Sequence, residues 1–168
     1  MLGLSDKREM FGNIDLVFLS DLLENCEFDK AAYCISNLKR SEQNDVLFSL
    51  SEKKGIIVYK FLEILIRNSN DPFYYELLIN IFHGSLCYIN GAYKIIEWYL
   101  KELIALYPDS IEYKEWMLEL ALIPDVKVTN NRIRKLANDI ILLNPNHRLA
   151  NKCLNNLAVL KEITHSES

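Results

Sequence analysis

Apolar residues recur along this chain at the three- and four-residue spacing that is typical of amphipathic helices. The first such segment, 14–25, carries Leu16, Leu19, Leu22 and Leu23 on one helical face. Capping and stop signals divide the rest of the chain into further segments of the same kind. The pattern predicts about nine helices, at 14–25, 30–38, 41–54, 55–67, 72–83, 92–106, 109–122, 131–143 and 147–163. The fold class predicted is therefore all-α.

Several helix ends are marked by single residues. Asp71 is a suitable N-cap, and Pro72 suits the first helical position, where its missing N–H costs nothing. The helix that begins there is predicted to stop at Gly84. Asp29 is predicted to cap the second helix, and Gly55 to separate the third helix from the fourth.

The last four predicted helices form two pairs that repeat each other. Pro108 and Pro145 lie 37 residues apart, and each occupies a turn between two apolar segments. A shift of 37 residues also superposes apolar positions: Ile96 on Ile133, Leu103 on Ile140, Ile104 on Ile141, Met117 on Leu154, Leu120 on Leu157 and Ala121 on Ala158. Any two amphipathic helices can be slid into apolar register, but the matched turn favours a true repeat. Stacked antiparallel helix pairs are predicted, with the clearest repeats at 92–162.

Between Ala92 and Leu160 the chain resembles tetratricopeptide-like helical repeats, whose units also close on a proline-containing turn after a large apolar residue. The period here is a few residues longer, and the small residues expected at tight helix crossings are only partly present. The resemblance implies a short right-handed array. The first half shows no such period, so an irregular helical bundle that caps the array is equally compatible there. One helical domain, 1–168, is expected, with flexible ends at 1–12 and 164–168.

Composition and charge narrow the class of protein. Of the 168 residues, 50% are hydrophobic and 25% charged, which indicates a globular chain. The net charge of −4 argues against direct nucleic-acid binding, which needs a basic surface. Charges near the N-terminus argue against an export signal, and the apolar run 55–66 is too short to span a membrane. We therefore expect a cytoplasmic protein with no membrane association, and four reduced cysteines that are mostly buried.

The sequence contains no recognisable catalytic or metal-binding motif. Its three histidines, His83, His147 and His165, are dispersed, and none lies in a zinc-binding pattern. His147, near a helix start, is expected to be a local surface group. The five glycines form neither a phosphate-binding loop nor a nucleophile elbow. We therefore expect no enzyme activity, no catalytic residue, no metal and no cofactor.

Two acidic clusters remain as candidate sites. Glu112, Glu115 and Glu119 share one face of a predicted helix, opposite a face of apolar and aromatic residues. The second cluster, near the first turn between helices, comprises Asp21, Glu24 and Glu27. The simplest interpretation of both is solvated surface, and the alternative is a negatively charged surface for a basic protein partner. The nine tyrosines are expected to lie in groove walls or half-buried helix contacts.

These features favour a protein-binding module over an enzyme. In being short, acidic, helical and free of motifs, the chain looks like bacterial toxin-immunity proteins, a likeness of general character only. That likeness implies a small cytosolic inhibitor that occludes the active site of its partner, such as a basic toxin domain. The alternatives are a scaffold or adaptor, or a peptide-responsive regulator, that holds a short peptide or helix in its groove. Whether the chain forms a homodimer is left open.

Overall fold

A computed structural model of the chain describes residues 10–11, 14–123, 126 and 128–156, and most of them are helical. The all-α fold is therefore confirmed. Contacts divide the chain into two compact units, Met1–Ala92 and Tyr93–Ser168, and each is described here by itself. The single domain and the right-handed array stay predictions. The expected flexible ends, 1–12 and 164–168, lie outside the described residues except for Met10–Phe11, and so does the last predicted helix beyond position 156.

The first unit begins with a short hairpin and continues as four helices. Strand β1 (Met10–Phe11) pairs antiparallel with β2 (Ile14–Asp15). The helices are α1 (Leu16–Glu24), α2 (Phe28–Ser36), α3 (Arg40–Ser69) and α4 (Pro72–His83). Helix α3 is the centre of this unit, because α1, α2 and α4 all pack against it. The second unit contains α5 (Ala92–Leu106), α6 (Ile111–Ala121), α7 (Asn130–Leu143) and α8, which is described over 148–156.

The helix ends agree with the capping prediction at α4 and differ from it at α2. The N–H of Phe73 donates to the Asp71 carboxylate at 3.0 Å, Pro72 is the first helical residue, and α4 ends at Gly84 as predicted. The prediction that Asp29 caps α2 is wrong, because the helix already begins at Phe28. Asp29 instead lies in the first turn, where its negative charge interacts favourably with the positive end of the helix dipole.

Gly55 produces a kink in α3 where a break between two helices was predicted. The backbone of Lys54 is non-helical, with φ −128° and ψ 16°, yet the hydrogen-bonded helix continues on both sides of it. The described part of the chain therefore has eight helices, one of which, α3, consists of two helical segments that meet at the kink where two separate helices were predicted. A Cβ on Gly55 would lie 2.8 Å from Cδ2 of Leu86, so the missing side chain makes room for the fully buried leucine that follows α4. Ser51 and Ser85 share a hydrogen bond of 2.6 Å beside this contact.

A buried glutamine joins the starts of α3 and α4. Gln43 is 4% exposed, and its amide nitrogen donates to the carbonyl of Leu38 at 2.9 Å. Its amide oxygen accepts a hydrogen bond from the Tyr74 hydroxyl at 3.1 Å and another from Arg40. Arg40 also pairs with Asp71, the N-cap of α4. Because the polar atoms of Gln43 are hydrogen-bonded, their burial avoids the free-energy cost of burying polar groups without a hydrogen-bond partner.

The second unit repeats its own structure with a period of 37 residues. Shifted by that period, the last residue of α5 falls on the last residue of α7, and the first residue of α6 falls on the first residue of α8. Burial repeats as well: Leu103 and Ile140 are both fully buried, and Ile96 and Ile133 are 2% and 8% exposed. Helix α6 packs against α7, so consecutive pairs are in contact. Burial is therefore repeated at these positions of α5 and α7, whereas in the other helices Leu118 is fully buried and its equivalent, Asn155, is exposed.

Candidate functional site

The acidic cluster on α6 is partly free and partly paired. Glu112 and Glu119 are exposed and form no ion pair within residues 14–123 and 128–156. Oε1 of Glu115 lies 3.4 Å from Nε2 of His147. The opposite face of α6 is buried, as the sequence predicts, through Tyr113, Met117 and Leu120.

The expectation that His147 is a surface group is wrong. Its side chain is only 11% exposed, because it lies between the Glu115 carboxylate and the start of α8. Its Nδ1 accepts a hydrogen bond from the N–H of Ala150 at 3.4 Å, which caps α8. His147 therefore joins α6 to α8.

The acidic cluster near α1 is mostly occupied by contacts within the first unit. Glu24 pairs with Lys54, at the kink of α3, and Glu27 pairs with Lys30 one helical turn away. Asp21 is exposed and has no ion pair in the part of the chain that the structure describes. Asp21, Glu24 and Glu27 belong to the first unit, and Glu112, Glu115 and Glu119 belong to the second.

A cavity of about 320 Å³ lies among α5, α6 and α7, and the sequence did not point to it. Its apolar lining comes from one residue of each helix: Ile104, Met117 and Leu136. No tyrosine is among the residues that line it, and four of the nine are buried in the packed core, at positions 74, 75, 99 and 113. Tyr59 and Tyr93 are half-buried on helices, which agrees with the expectation of half-buried helix contacts, and the tyrosines do not contribute to this cavity.

Positive side chains dominate the polar lining of this cavity. They are Lys101 on α5 with Arg132 and Lys135 on α7, against a single carboxylate, Asp139. Lys135 is exposed and forms no hydrogen bond or ion pair among the described residues. An anion that entered the cavity would therefore meet one unpaired ammonium group without first breaking a contact.

Glu97 holds the other two cations in place. It pairs with Arg132 and, at 3.1 Å, with Lys101, and its side chain is 21% exposed. Burial by itself raises the pKa of the Glu97 carboxyl, but the hydrogen bonds and charges of Lys101 and Arg132 outweigh it and lower that pKa below 4.5. The carboxylate is thus ionised at neutral pH and links α5 to α7 at the edge of the cavity.

The charge of the second unit is divided between its two helix pairs. Residues 93–123 contain six acidic and three basic residues, a net charge of −3. Residues 124–156 contain two acidic and six basic residues, a net charge of +4. The overall charge of −4 conceals this division, which a count over each repeat would have found. The basic second pair supplies two of the three cations at the cavity.

The cysteines do not form a site. Cys153 is buried, which raises the pKa of its thiol and makes it unreactive. Cys26 and Cys87 are exposed and Cys34 is half-buried, so the expectation that the cysteines are mostly buried is wrong. Cys26 and Cys87 lie in turns, where the amphipathic pattern does not direct a side chain to the core.

No three His, Cys, Asp or Glu side chains in the part of the chain that the structure describes are grouped so that they could hold one metal ion. None of its helices has both the length and the apolar character needed to cross a membrane. No family model, curated protein or solved structure matches the chain.

Proposed function

We propose that this chain is a protein-binding helical-repeat module, whose second unit is a short tetratricopeptide-like right-handed array. The observation that carries the proposal is the 37-residue repetition of helix ends and of buried positions in α5–α8. Helix pairs stacked at a fixed period present extended surfaces, and such proteins use these surfaces for binding. On this proposal the protein is not an enzyme and needs no cofactor.

The form of this function that we favour is a small cytosolic inhibitor, comparable to bacterial toxin-immunity proteins. Asp21, Glu112 and Glu119 are exposed carboxylates without an ion pair in the described residues, so they can meet a basic partner without losing an internal contact. Their charges would accelerate the encounter with a basic toxin domain. Inhibition would then follow from steric occlusion of that domain's active site.

The cavity among α5, α6 and α7 favours a second candidate, a scaffold or adaptor or a peptide-responsive regulator. A concave site with an apolar lining and a few charged groups suits a short segment better than a flat protein surface. This candidate differs from the inhibitor in the ligand it requires, which is a linear peptide or helix.

Affinity purification from the native cells tests the proposal. Tagged wild-type protein is compared with the double variant Glu112→Gln, Glu119→Gln, and with a matched control, Glu52→Gln, Glu102→Gln, which removes two exposed carboxylates elsewhere. One stoichiometric basic partner that is lost only with the α6 variant, and that is toxic when expressed alone, supports the inhibitor. Several partners that share a short segment support the adaptor. A protein that captures nothing and is a homodimer in solution contradicts both.

The salt dependence of the association rate shows whether the acidic residues accelerate the encounter with the partner by long-range electrostatic attraction. For the inhibitor, we expect the association rate with a purified partner to fall about tenfold or more between about 50 and about 500 mM salt, because salt screens the acidic surface. The α6 variant should show a weaker dependence on salt than the control variant. An association rate that is equal at both salt concentrations would remove the electrostatic part of the proposal.

A further inference from the structure

The two acidic clusters predict a basic partner. The cavity of the second unit is lined mainly by positive side chains, so its charge is opposite to theirs. Three cations and one carboxylate line it, and two of the cations, Arg132 and Lys135, belong to the helix pair with a net charge of +4. A basic ligand segment would be repelled here. The occupant that complements this cavity is therefore acidic.

The three cations differ in how readily they can bind a ligand. Lys101 and Arg132 share Glu97, so a ligand carboxylate must compete with that residue for them. Lys135 has no partner among the described residues and is the first group that a ligand carboxylate would reach. Asp139 lies one helical turn beyond Lys135 and repels a carboxylate there. The acidic residue of the ligand is thus placed at the Lys135 end of the cavity.

The apolar part of the cavity sets the second requirement. Ile104, Met117 and Leu136 line a volume of about 320 Å³, at the small end of the ~300–1,000 Å³ found for ligand clefts. That volume accommodates one or two aliphatic side chains. A ligand that carries a carboxylate beside an aliphatic group would satisfy both parts of the lining.

The surface of α7 continues this pattern beyond the cavity. Leu142 and Leu143 follow Asp139 by three and four residues, so they lie on the same side of the helix. They are 81% and 43% exposed. An elongated ligand that leaves the cavity along α7 would cover these leucines, whereas a small molecule would leave them in water.

We propose that the cavity among α5, α6 and α7 binds an extended, acidic and aliphatic segment of a protein partner, with a carboxylate at Lys135 and an aliphatic side chain against Ile104 and Leu136, the two half-buried apolar residues of the lining. The inference rests on the proposed function, because it requires a protein ligand. It uses a different surface from the acidic cluster, since Met117 is on the buried face of α6 and Glu112 and Glu119 are on the exposed face.

Fluorescence anisotropy with three labelled peptides tests the assignment on the full chain. The first peptide alternates Glu and Leu, the second replaces Glu with Lys, and the third replaces Leu with Ala. We expect the Glu/Leu peptide to bind, the Lys peptide to bind about tenfold more weakly or worse, and the Ala peptide about fivefold more weakly. Lys135→Glu should weaken the binding of the Glu/Leu peptide about fivefold or more. The matched control is Lys152→Glu, an exposed lysine on α8 that does not line the cavity, and it should change binding less than about twofold.

Three results would overturn the assignment. They are no binding of the Glu/Leu peptide at millimolar protein, an equal loss of binding in Lys152→Glu and Lys135→Glu, or preference for the Lys peptide. Sodium octanoate is titrated as a fourth probe, and binding of octanoate without binding of the peptide would assign the cavity to small acids instead. If the peptide fails while a partner is still captured through Glu112 and Glu119, only the cavity assignment is lost and the proposed function stands. Circular dichroism melts of both variants verify that they are folded.

Discussion

Glu97 is the single side chain that fixes most of the charge at the candidate cavity. Because its folded pKa is lowered, its ion pairs stabilise the protein fully above the unfolded pKa, near 4.5, and this contribution is lost as the pH falls through the folded value. We expect Glu97→Gln to reduce the free energy of unfolding at pH 7 by up to about 1 kcal/mol. The difference between the variant and the wild type should shrink as the pH falls from 7 to 3. Urea denaturation over this pH range measures the difference.

Glu102→Gln is the matched control, since Glu102 is exposed on the same helix and forms no ion pair among the described residues. A constant difference between Glu97→Gln and the wild type from pH 7 to pH 3 would contradict the ionic explanation. The sequence could indicate the contact between Glu97 and Lys101, which are four residues apart on one helix. It could not indicate Arg132, because that contact depends on how α5 and α7 pack.

Helix α3 shows how a local signal and a long-range contact combine. Gly55→Ala increases helix propensity by up to about 1 kcal/mol, which alone would stabilise an exposed helix. Here the new methyl group would lie 2.8 Å from Leu86 Cδ2, inside a packed core. Overpacking of this kind costs about 1–3 kcal/mol. We expect Gly55→Ala to destabilise the protein by about 1 kcal/mol in urea denaturation.

The clash between the new methyl group at position 55 and Leu86 is tested by shortening the Leu86 side chain. Leu86→Val removes the methyl group nearest to position 55, so the double variant should be less destabilised than the two single variants taken together. Simple additivity of the two effects would show that Leu86 is not the cause.

Helical periodicity predicted the helices but not the hairpin: Ile14 and Asp15, expected at the start of the first helix, form strand β2, and α1 begins at Leu16. The motif Asp71-Pro72 was interpreted correctly because capping is local. The continuation of α3 past Gly55 could not be predicted from local sequence signals. Gly55 predicted a break, whereas the structure has non-helical backbone at Lys54 with helix on both sides of it, and the contact of position 55 with Leu86 depends on tertiary packing. The error at Asp29 has a similar origin, since the capping preference of a residue does not identify the helix start when Phe28 is already helical.

For the whole molecule, the sequence predicts a repeat of helix pairs but did not indicate the cavity. A fixed period with a matched turn predicts equivalent surroundings for equivalent residues, and the burial of Leu103 and Ile140 agrees with this. The six predicted site carboxylates were chosen by spacing alone, and three of them prove to be engaged within the chain: Glu24, Glu27 and Glu115. The cavity could not be predicted because its lining comes from three helices, and the sequence pattern does not show which helices pack together.

The two units should also differ in stability. The first unit buries its largest side chains, including Phe61 and Phe82, around one central helix. A repeat gains stability mainly from contacts with its neighbour, so a unit of two helix pairs opens more readily than a single shared core. By native-state amide exchange we expect the slowest amides of α3 and α4 to exchange at least about tenfold more slowly than those of α5–α8. Glu97→Gln should accelerate exchange in the second unit alone. Equal protection at Leu62 and Ile140, or acceleration throughout the chain, would instead show that the two units unfold as one cooperative body.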